Sequence, residues 1–318
     1  METVVGMRTG AAARLLLGPG LVASFTLLSA VRDVFLSDQL RAEPPLVVAA
    51  LAFAVTNLAF GPFLLRALRT KREAFRGAGR LALGVNATTA AAWLLYFAAL
   101  ANSPPAIVIT IWSAAGPLFA AWLVARAKPG EALGAGARIG PRERLAYLLQ
   151  FLLALGLALG TGGVALAQGA GPALLVGNLC AFASGLAITV SILQSQGLAL
   201  RGLAPTEIMG LRFQLTGALA IVGVLVAGPP LVTLLDERLF AVAGLVAVLI
   251  VLPNFALQIG VVRTNAITAK IILSFAPSLT FALQTLVLGL PVTTATAVSV
   301  GLFFVLSVAG ALARATKA

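Results

Sequence analysis

Histidine is absent from the chain, and cysteine and acidic residues are scarce. The 318 residues include one cysteine, Cys180, and only 10 aspartates and glutamates, and charged residues make up 10% of the total. Soluble domains carry about 25% charged residues, so this composition argues against a soluble enzyme. Without histidine, neither acid–base catalysis nor metal binding through an imidazole is possible. One cysteine cannot form an internal disulfide. We also expect no cofactor and no metal.

Apolar residues dominate instead, at 60% of the chain, with a mean hydropathy of +1.04. Apolar runs long enough to cross the ~30 Å hydrocarbon core of a bilayer recur from end to end. Because no water satisfies backbone groups in lipid, such runs must be helical. The sequence therefore predicts an all-α integral membrane protein with ten transmembrane helices. The predicted segments are approximately 14–36, 45–66, 81–101, 104–126, 145–167, 172–199, 205–228, 239–261, 265–288 and 291–313.

The formal net charge of +12 would suit a nucleic-acid partner, but the distribution of basic residues does not. If the N-terminus is cytoplasmic, the predicted outside loops hold only Arg41 and Arg238, and three cations fall at membrane depth. The other 17 of the 22 basic residues then lie inside, as the positive-inside rule requires. We predict a multi-pass protein of the inner (plasma) membrane with both termini cytoplasmic. Its predicted partners are the lipid bilayer and a small-molecule substrate, and not nucleic acid.

Two halves of the chain match at a constant shift of 160 residues. The matching pairs are PPLVVAALAF (44–53) with APTEIMGLRF (204–213), and AIVITIWSAAGP (106–117) with AITAKIILSFAP (266–277). That shift spans five predicted helices, an odd number, so the second half enters the membrane from the opposite side. The sequence therefore predicts two inverted five-helix repeats, residues 1–167 and 168–318. Inverted repeats are typical of secondary transporters, which bind substrate near the midplane where the halves meet.

Three segments also resemble a known family of membrane carriers. They are LLYFAALANSPPAIVITIWSAAGPLFAAWLV (94–124), RERLAYLLQFLLALGLALGTGG (142–163) and LPNFALQIGVVRTNAITAKIILSFAPSLTFALQTLVLG (252–289). Together they resemble the drug/metabolite transporter superfamily, EamA-like branch. The resemblance implies a ten-helix carrier of two five-helix repeats that exports or exchanges small metabolites, amino acids or drugs.

The chain departs from that family in two places. Such families often carry an arginine in the second helix of each repeat, and Arg212 matches that position in the second repeat. The first repeat has Ala52 there instead. The family's glutamate before the last helix is missing, because LGLPVTTA (288–295) contains no acid.

Ionisable side chains at membrane depth are the first candidates for function, because each costs roughly 2.5–3.5 kcal/mol or more unless paired or hydrated. Lys270 lies in the predicted ninth helix, seven residues before Pro277. This lysine either snorkels to the headgroups or faces a cavity, where it would bind a substrate carboxylate. Proline removes a backbone hydrogen bond and bends a helix, so we predict kinks at Pro117 and Pro277 beside a water-filled passage.

Asp33 and Glu207 are the acids closest to the predicted membrane interior. If transport is coupled to protons through a carboxylate, Asp33 is the first candidate and Glu207 the second. Arg32 precedes Asp33, and adjacent helix positions diverge by about 100°, so the two side chains are not expected to point at one spot. The alternative is that both are solvated at the outer mouth.

Polar and aromatic residues within the spans complete the predicted substrate site. Asn86 and Asn254 lie inside the third and eighth helices, which are equivalent elements of the two halves. Trp112 precedes Pro117 by five residues and is the tryptophan best placed to stack on a ligand. The predicted substrate-binding residues are Asn86, Tyr96, Trp112, Arg212, Asn254 and Lys270.

The leading prediction is a secondary active transporter, an exporter or exchanger that works by alternating access. A passive pore and an intramembrane enzyme are the alternatives. The sequence offers no obvious catalytic pair for an enzyme, and pores favour rings of like groups from symmetric subunits. Gly156 and Gly160 form a GxxxG pattern, which we expect to pack within the chain, with a homodimer as the alternative. The oligomeric state is therefore monomer or homodimer.

Overall fold

The computed structural model describes residues 2–42, 45–126, 139–169, 171–227, 237–264, 266–288 and 294–315, and every regular element in these ranges is an α-helix. Ten stretches are long and apolar enough to cross a membrane. The chain is therefore a multi-pass membrane protein, and the predicted all-α fold with ten spans is confirmed.

Thirteen helices lie in the described ranges. Their bounds are Glu2–Ala42 (α1), Pro45–Thr70 (α2), Arg72–Phe75 (α3), Gly79–Asn102 (α4), Pro105–Arg126 (α5), Pro141–Ala167 (α6), Ala173–Leu200 (α7), Pro205–Arg212 (α8), Gln214–Ala227 (α9), Glu237–Val262 (α10), Ala266–Leu273 (α11), Ala276–Leu288 (α12) and Thr294–Ala315 (α13). Eight spans consist of one helix each. The seventh span is divided into α8 and α9, and the ninth into α11 and α12.

Four helices begin at a proline. These are α2, α5, α6 and α8, which begin at Pro45, Pro105, Pro141 and Pro205. Proline suits the first helical position for two reasons. The backbone N–H of that position has no partner within the helix, so its absence costs nothing, and the proline ring already holds the helical φ angle. The predicted segments match the starts at Pro45, Pro105 and Pro205 to within one residue, whereas the predicted segment 145–167 begins four residues after Pro141.

The two prolines of the matched segments affect their helices differently. Pro277 is the second residue of α12 and follows the break at Ser274–Phe275. The carbonyl of Leu273, which a proline at 277 leaves without a helical donor, accepts a hydrogen bond from Oγ of Ser113 at 3.4 Å. Pro117 lies inside α5, which continues as one helix through it. The ninth span is therefore divided just before its proline, whereas the fourth span continues through Pro117 as one helix. The predicted bends at the two prolines stay predictions.

At the break in the seventh span, side chains from other helices form hydrogen bonds with the backbone. It lies at Phe213, between α8 and α9. Asn57 of α2 donates through Nδ2 to the Phe213 carbonyl at 3.2 Å. Asn86 of α4 accepts through Oδ1 from the backbone N–H of Leu215 at 3.2 Å. The Phe213 carbonyl also accepts the helical hydrogen bond from the N–H of Gly217 at 3.0 Å, so Asn57 adds a second bond there. Asn86 supplies a partner for an N–H at the break, as backbone groups at membrane depth require.

Long helix pairs cross between the two halves of the chain. α1 packs along α10, and α4 packs along α7. α5 lies against α7, and α1 lies against α11 and α12. α2 packs against both parts of the seventh span, and α6 packs against α13. The halves therefore interdigitate, and neither forms a bundle of its own.

Glycines allow the closest of these approaches. A Cβ at Gly18 of α1 would lie 2.7 Å from the carbonyl oxygen of Arg263, just beyond α10. A Cβ at Gly177 of α7 would collide with Oγ of Ser103, at the end of α4. Helix backbones in membranes approach this closely only at small residues, so these glycines fix the α1–α10 and α4–α7 contacts.

The predicted GxxxG pattern lies on the outer face of α6. Gly156 and Gly160 are both exposed, and a Cβ at either position would meet nothing within 4 Å. The described neighbours of α6, which are α5, α7 and α13, lie on its other faces. Among the described residues, the expectation that this pattern packs within the chain is therefore not met.

Candidate functional site

A small cavity lies between five helices drawn from both halves of the chain. Its walls are Phe25 and Arg32 of α1, Ala92, Trp93 and Tyr96 of α4, Trp112 of α5, Ile188 of α7, and Asn254 and Leu257 of α10. The space open to the centres of water molecules is about 20 Å³, which is room for roughly one or two waters. A metabolite would fit only after these walls move apart.

The charged wall of the cavity is an ion pair within α1. Nε of Arg32 donates to Oδ1 of Asp33 at 2.8 Å, and Nη2 lies 2.7 Å from the same oxygen. The two residues are only 4% and 1% exposed. The alternative in which both are solvated at an outer mouth is therefore excluded. The Cβ atoms of adjacent helix residues point in different directions, but the arginine side chain is long enough to fold back and reach Asp33.

Four polar atoms around this pair have no hydrogen-bond partner in the described part of the chain. They are Nη1 of Arg32, Oδ2 of Asp33, Nε1 of Trp93 and Oη of Tyr96. Buried polar atoms are nearly always hydrogen-bonded, and an unpaired one costs about 1–3 kcal/mol. Arg32, Trp93 and Tyr96 line the cavity, so its wall presents two free donors and one hydroxyl, which can donate or accept, to a ligand.

Aromatic rings surround the guanidinium group. The Arg32 Cζ atom lies 5.1 Å from the centre of the Trp93 ring and 5.7 Å from that of Tyr96. Both distances are within the range of cation–π attraction. The Tyr96 ring lies 6.0 Å from the ring of Trp112, so the predicted residues Tyr96 and Trp112 form adjacent walls. These rings stabilise a cation in the wall and offer flat apolar surfaces to an organic ligand.

Lys270 of α11 lies behind Trp112. Its Nζ is 5.0 Å from the centre of the Trp112 ring, and the residue is 1% exposed. In the described part of the chain Nζ forms neither an ion pair nor a hydrogen bond. A Cβ at Gly116 would lie 2.8 Å from Nζ, so this glycine provides the space for the ammonium group. Snorkelling to the headgroups is excluded, and Trp112 separates the lysine from the cavity.

Arg212 occupies a different position, at the end of α8. It donates through Nη1 to Gln258 at 3.1 Å, through Nη2 to Ser191 at 3.0 Å and through Nε to Thr89 at 3.3 Å. It is 1% exposed. These partners come from α10, α7 and α4, and all are neutral. Arg212 therefore ties three helices together beside the break at Phe213, and it does not line the cavity.

The two predicted asparagines are not equivalent in the structure. Asn254 is buried and lines the cavity, and its Nδ2 donates to the carbonyl of Ile250 in its own helix at 2.7 Å. Asn86 is half-buried and bonds the backbone at the break in the seventh span. Asn254 is thus available to a ligand through the rest of its amide, whereas Asn86 supports the fold.

Glu207 lies away from the cavity, in the first turn of α8. Its Oε2 accepts from the backbone N–H of Ala204 at 2.7 Å and from Nζ of Lys71 at 2.8 Å. Lys71 also donates to the carbonyl of Gly202 at 3.0 Å. This cluster caps α8 and joins the corner between α2 and α3 to the corner between α7 and α8. Of the two predicted coupling acids, only Asp33 is next to the cavity, through its ion pair with the lining residue Arg32.

Several residues of the site carried no usable signal in the sequence. Trp93 stands out only once its indole N–H is seen unpaired beside Arg32. Gly116 matters because Lys270 approaches it from a helix distant in the sequence. Among the described residues, no group of three or more histidine, cysteine, aspartate or glutamate side chains could hold a metal ion.

Comparisons with known proteins identify the fold and nothing finer. No model of a known protein family matches the chain, and no curated protein matches it. Nineteen chains of solved structures are similar to it. One of them, the crystal structure of another protein, aligns with 96% of this chain and 99% of its own length, with a TM-score of 0.62 and 18% identity. Such similarity shows a shared fold and carries no activity with it.

Proposed function

We propose that the protein is a secondary transporter that carries a small organic molecule across the membrane by alternating access. The observation that carries this proposal is the cavity between five helices, with buried charged and aromatic walls and unpaired polar atoms. Charged side chains inside membrane helices are costly, and they mark substrate or ion pathways. The three segments that resemble EamA-like drug/metabolite transporters favour an exporter or exchanger of small metabolites, amino acids or drugs.

The proposal includes two inverted repeats, residues 1–167 and 168–318. In a molecule with a pseudo-two-fold axis, equivalent residues contact each other only near that axis. Phe53 stacks on Phe213, with ring centres 5.5 Å apart and planes at 22°, and these positions are 160 residues apart. The bond from Ser113 to the Leu273 carbonyl joins another pair with this separation. These contacts support an axis that passes between α2 and the seventh span, and between α5 and the ninth.

The crossing helix pairs support the same symmetry. α1 and α10 are the first helix of one repeat and the third of the other, and α7 and α4 are the same pair with the repeats exchanged. The contact of Gly18 with Arg263 has its counterpart in the contact of Gly177 with Ser103. At a shift of 160 residues, Ser103 corresponds to Arg263, and Gly18 corresponds to the residue after Gly177.

Such symmetry gives alternating access a physical basis. If the two repeats adopt slightly different conformations, exchanging them converts a cavity open to one side into a cavity open to the other. The small cavity here corresponds to a state between these two. Asp33 is our candidate for proton coupling, because it pairs with Arg32, which lines the cavity.

The orientation follows from the charges. With both termini in the cytoplasm, 17 of the 22 basic residues lie on the cytoplasmic side, where the positive-inside rule expects them. We assign the protein to the inner membrane on this basis. The Lys71–Glu207 cluster then lies at the cytoplasmic face.

Purified protein in liposomes tests the proposal. A carrier gives saturable uptake that a substrate on the opposite side accelerates, a pore gives linear flux, and an enzyme converts the molecule. We expect accelerated exchange that Arg32→Gln abolishes. The matched control is Arg126→Gln, because Arg126 is exposed and contacts only the Trp122 ring, at 4.3 Å, among its recorded interactions. Linear flux, chemical conversion or equal loss in both variants would overturn the proposal.

A further inference from the structure

The ionisable side chains buried within the described spans are not all paired. Three of them are cations, Arg32, Arg212 and Lys270, and two are acids, Asp33 and Glu143. Asp33 pairs with Arg32, and Glu143 accepts a hydrogen bond from the Tyr147 hydroxyl at the start of α6. Arg212 and Lys270 are therefore surplus cations, without an acid partner in the described part of the chain. Buried charges are normally paired or strongly hydrogen-bonded, and a negative ligand would supply the missing partner.

The two surplus cations differ in what surrounds them. Arg212 makes three hydrogen bonds to neutral side chains, one from each nitrogen of its guanidinium group. Lys270 makes none, and its only recorded electrostatic partner is the face of Trp112. Ammonium groups offer three donors. Lys270 is therefore the cation that a ligand would satisfy most.

The free atoms of the cavity point the same way. Nη1 of Arg32 and Nε1 of Trp93 are donors without a partner, as is Nζ of Lys270. Oδ2 of Asp33 is an acceptor without a partner, and Oη of Tyr96 can either donate or accept. Because carboxylates and phosphates accept several hydrogen bonds and donate none when ionised, this excess of donors suits an oxyanion.

We propose that the substrate is an organic anion, whose oxyanion group is bound by Arg32 in the cavity and by Lys270 once Trp112 moves aside. This inference rests on the proposed transport function and names the class of molecule that the same site accepts. The aromatic walls Trp93, Tyr96 and Trp112 contact the organic part of the molecule. An ammonium group would add a positive charge and could not accept a hydrogen bond from Lys270, and a neutral molecule would leave Lys270 without a counterion.

Trp112 is the element that must move. Its ring contacts Tyr96 on the cavity side and Lys270 on the other. An anion that enters the cavity competes with the ring for the ammonium group. A charge-assisted hydrogen bond is stronger than a cation–π contact of this kind, so the anion displaces the ring and reaches both cations.

Exchange from liposomes with three defined mixtures tests the inference. One mixture contains monocarboxylates and dicarboxylates, the second contains neutral and zwitterionic compounds, and the third contains primary amines. Each mixture is loaded into liposomes that hold the purified full-length protein, and the same mixture outside drives exchange. Mass spectrometry of isotope-labelled components measures which molecules cross. We expect the anionic mixture to exchange and the amines to stay inside.

The variants Lys270→Met and Lys71→Met distinguish a loss of binding at the site from the general effect of removing a positive charge. Loss of Lys270 should weaken the apparent affinity for the exchanged anion roughly 10- to 100-fold, the effect of a lost hydrogen bond between charged groups. Lys71 is 37% exposed and lies outside the cavity, so its variant should exchange the anion with unchanged affinity.

The outcomes are distinguishable. Exchange of amines or neutral compounds without exchange of anions would overturn the anionic class and leave the transport function standing. No exchange from any mixture would overturn the transport function, and the inference with it. Exchange of anions at unchanged affinity in Lys270→Met would refute the role of the lysine. Because the wild-type result alone decides the charge class, a variant that fails to fold does not prevent a decision.

Discussion

Gly116→Ala is the substitution for which the structure makes the sharpest prediction. A Cβ at this position would lie 2.8 Å from Nζ, 2.9 Å from Cε and 3.0 Å from Cδ of Lys270. Ordinary contacts of a Cβ atom begin at about 3.4 Å, so the end of the lysine must shift by at least several tenths of an ångström. The lysine side chain is flexible, but the Trp112 ring limits the directions in which it can move.

The expected cost is moderate. Overpacking a buried site typically costs about 1–3 kcal/mol. We expect the lower half of that range, because the atoms in the way belong to a flexible chain and not to backbone. The displaced ammonium group also loses its place behind Trp112, so binding of an anionic substrate should weaken together with stability.

A double-mutant cycle with Lys270→Ala isolates the contact. The free energy of unfolding is measured in mixed micelles by titration with sodium dodecyl sulfate for both single variants and the double variant. If the added methyl group collides with the lysine, Gly116→Ala costs less when residue 270 is alanine, and the coupling energy is about 1 kcal/mol. Gly156→Ala is the matched control, because nothing lies within 4 Å of a Cβ there. It should leave stability unchanged or slightly raised.

An equal cost of Gly116→Ala in both backgrounds would refute the reasoning. It would mean that the lysine does not occupy the space beside the glycine. A loss at Gly156→Ala as large as that at Gly116→Ala would mean that glycine flexibility, and not the contact with the lysine, determines the effect.

Three further predictions concern other parts of the molecule. Asp33→Asn leaves Arg32 buried without its acid and should lower the free energy of unfolding by about 3 kcal/mol in the same titration. It should also abolish proton-driven flux while exchange persists, and unchanged stability and flux would contradict the buried pair. Lys71→Ala removes a partly exposed ion pair with Glu207 and should change stability by no more than about 1 kcal/mol; a loss of several kcal/mol would show that this corner holds the halves together. Phe213→Ala removes a fully buried ring at the proposed axis and should cost about 3–5 kcal/mol, so a loss below 1 kcal/mol would contradict the packing described there.

The spans could be predicted from the sequence because lipid imposes a simple rule. A backbone in hydrocarbon must satisfy its own hydrogen bonds, so every apolar run becomes a helix. Prolines at 45, 141 and 205 coincide with helix starts. Pro277 likewise indicates the break in the ninth span. Each of these features depends on residues close together in the chain.

The features that were not predictable depend on residues far apart. Nothing near Phe213 indicates that the seventh span breaks there, because the side chains that bond the backbone at the break, Asn57 and Asn86, come from other helices. The burial of Lys270 depends in the same way on Gly116 of α5. Asn86 and Asn254 occupy equivalent helices and yet have different partners, because only the second half has the break.

The site was only partly predictable for a related reason. Tyr96, Trp112 and Asn254 line the cavity, as a polar or aromatic residue within a span suggests. Arg32 also lines the cavity. From the sequence, we expected Arg32 and Asp33 to point in different directions, because adjacent helix positions diverge. A long side chain reaches further than its Cβ direction indicates.

Access to the cavity from each side tests the central claim most directly. Cys180→Ser removes the natural thiol, Asn254→Cys places a thiol in the cavity wall, and cysteines at 71 and 207 allow the cytoplasmic corners to be cross-linked. A membrane-impermeant thiol reagent is added to either face of oriented vesicles before and after cross-linking, and mass spectrometry measures modification at position 254 alone. Alternating access predicts modification from both faces before cross-linking and from the outer face alone afterwards. Modification from neither face, or equal modification from both faces after cross-linking, would contradict a carrier with this cavity at its centre.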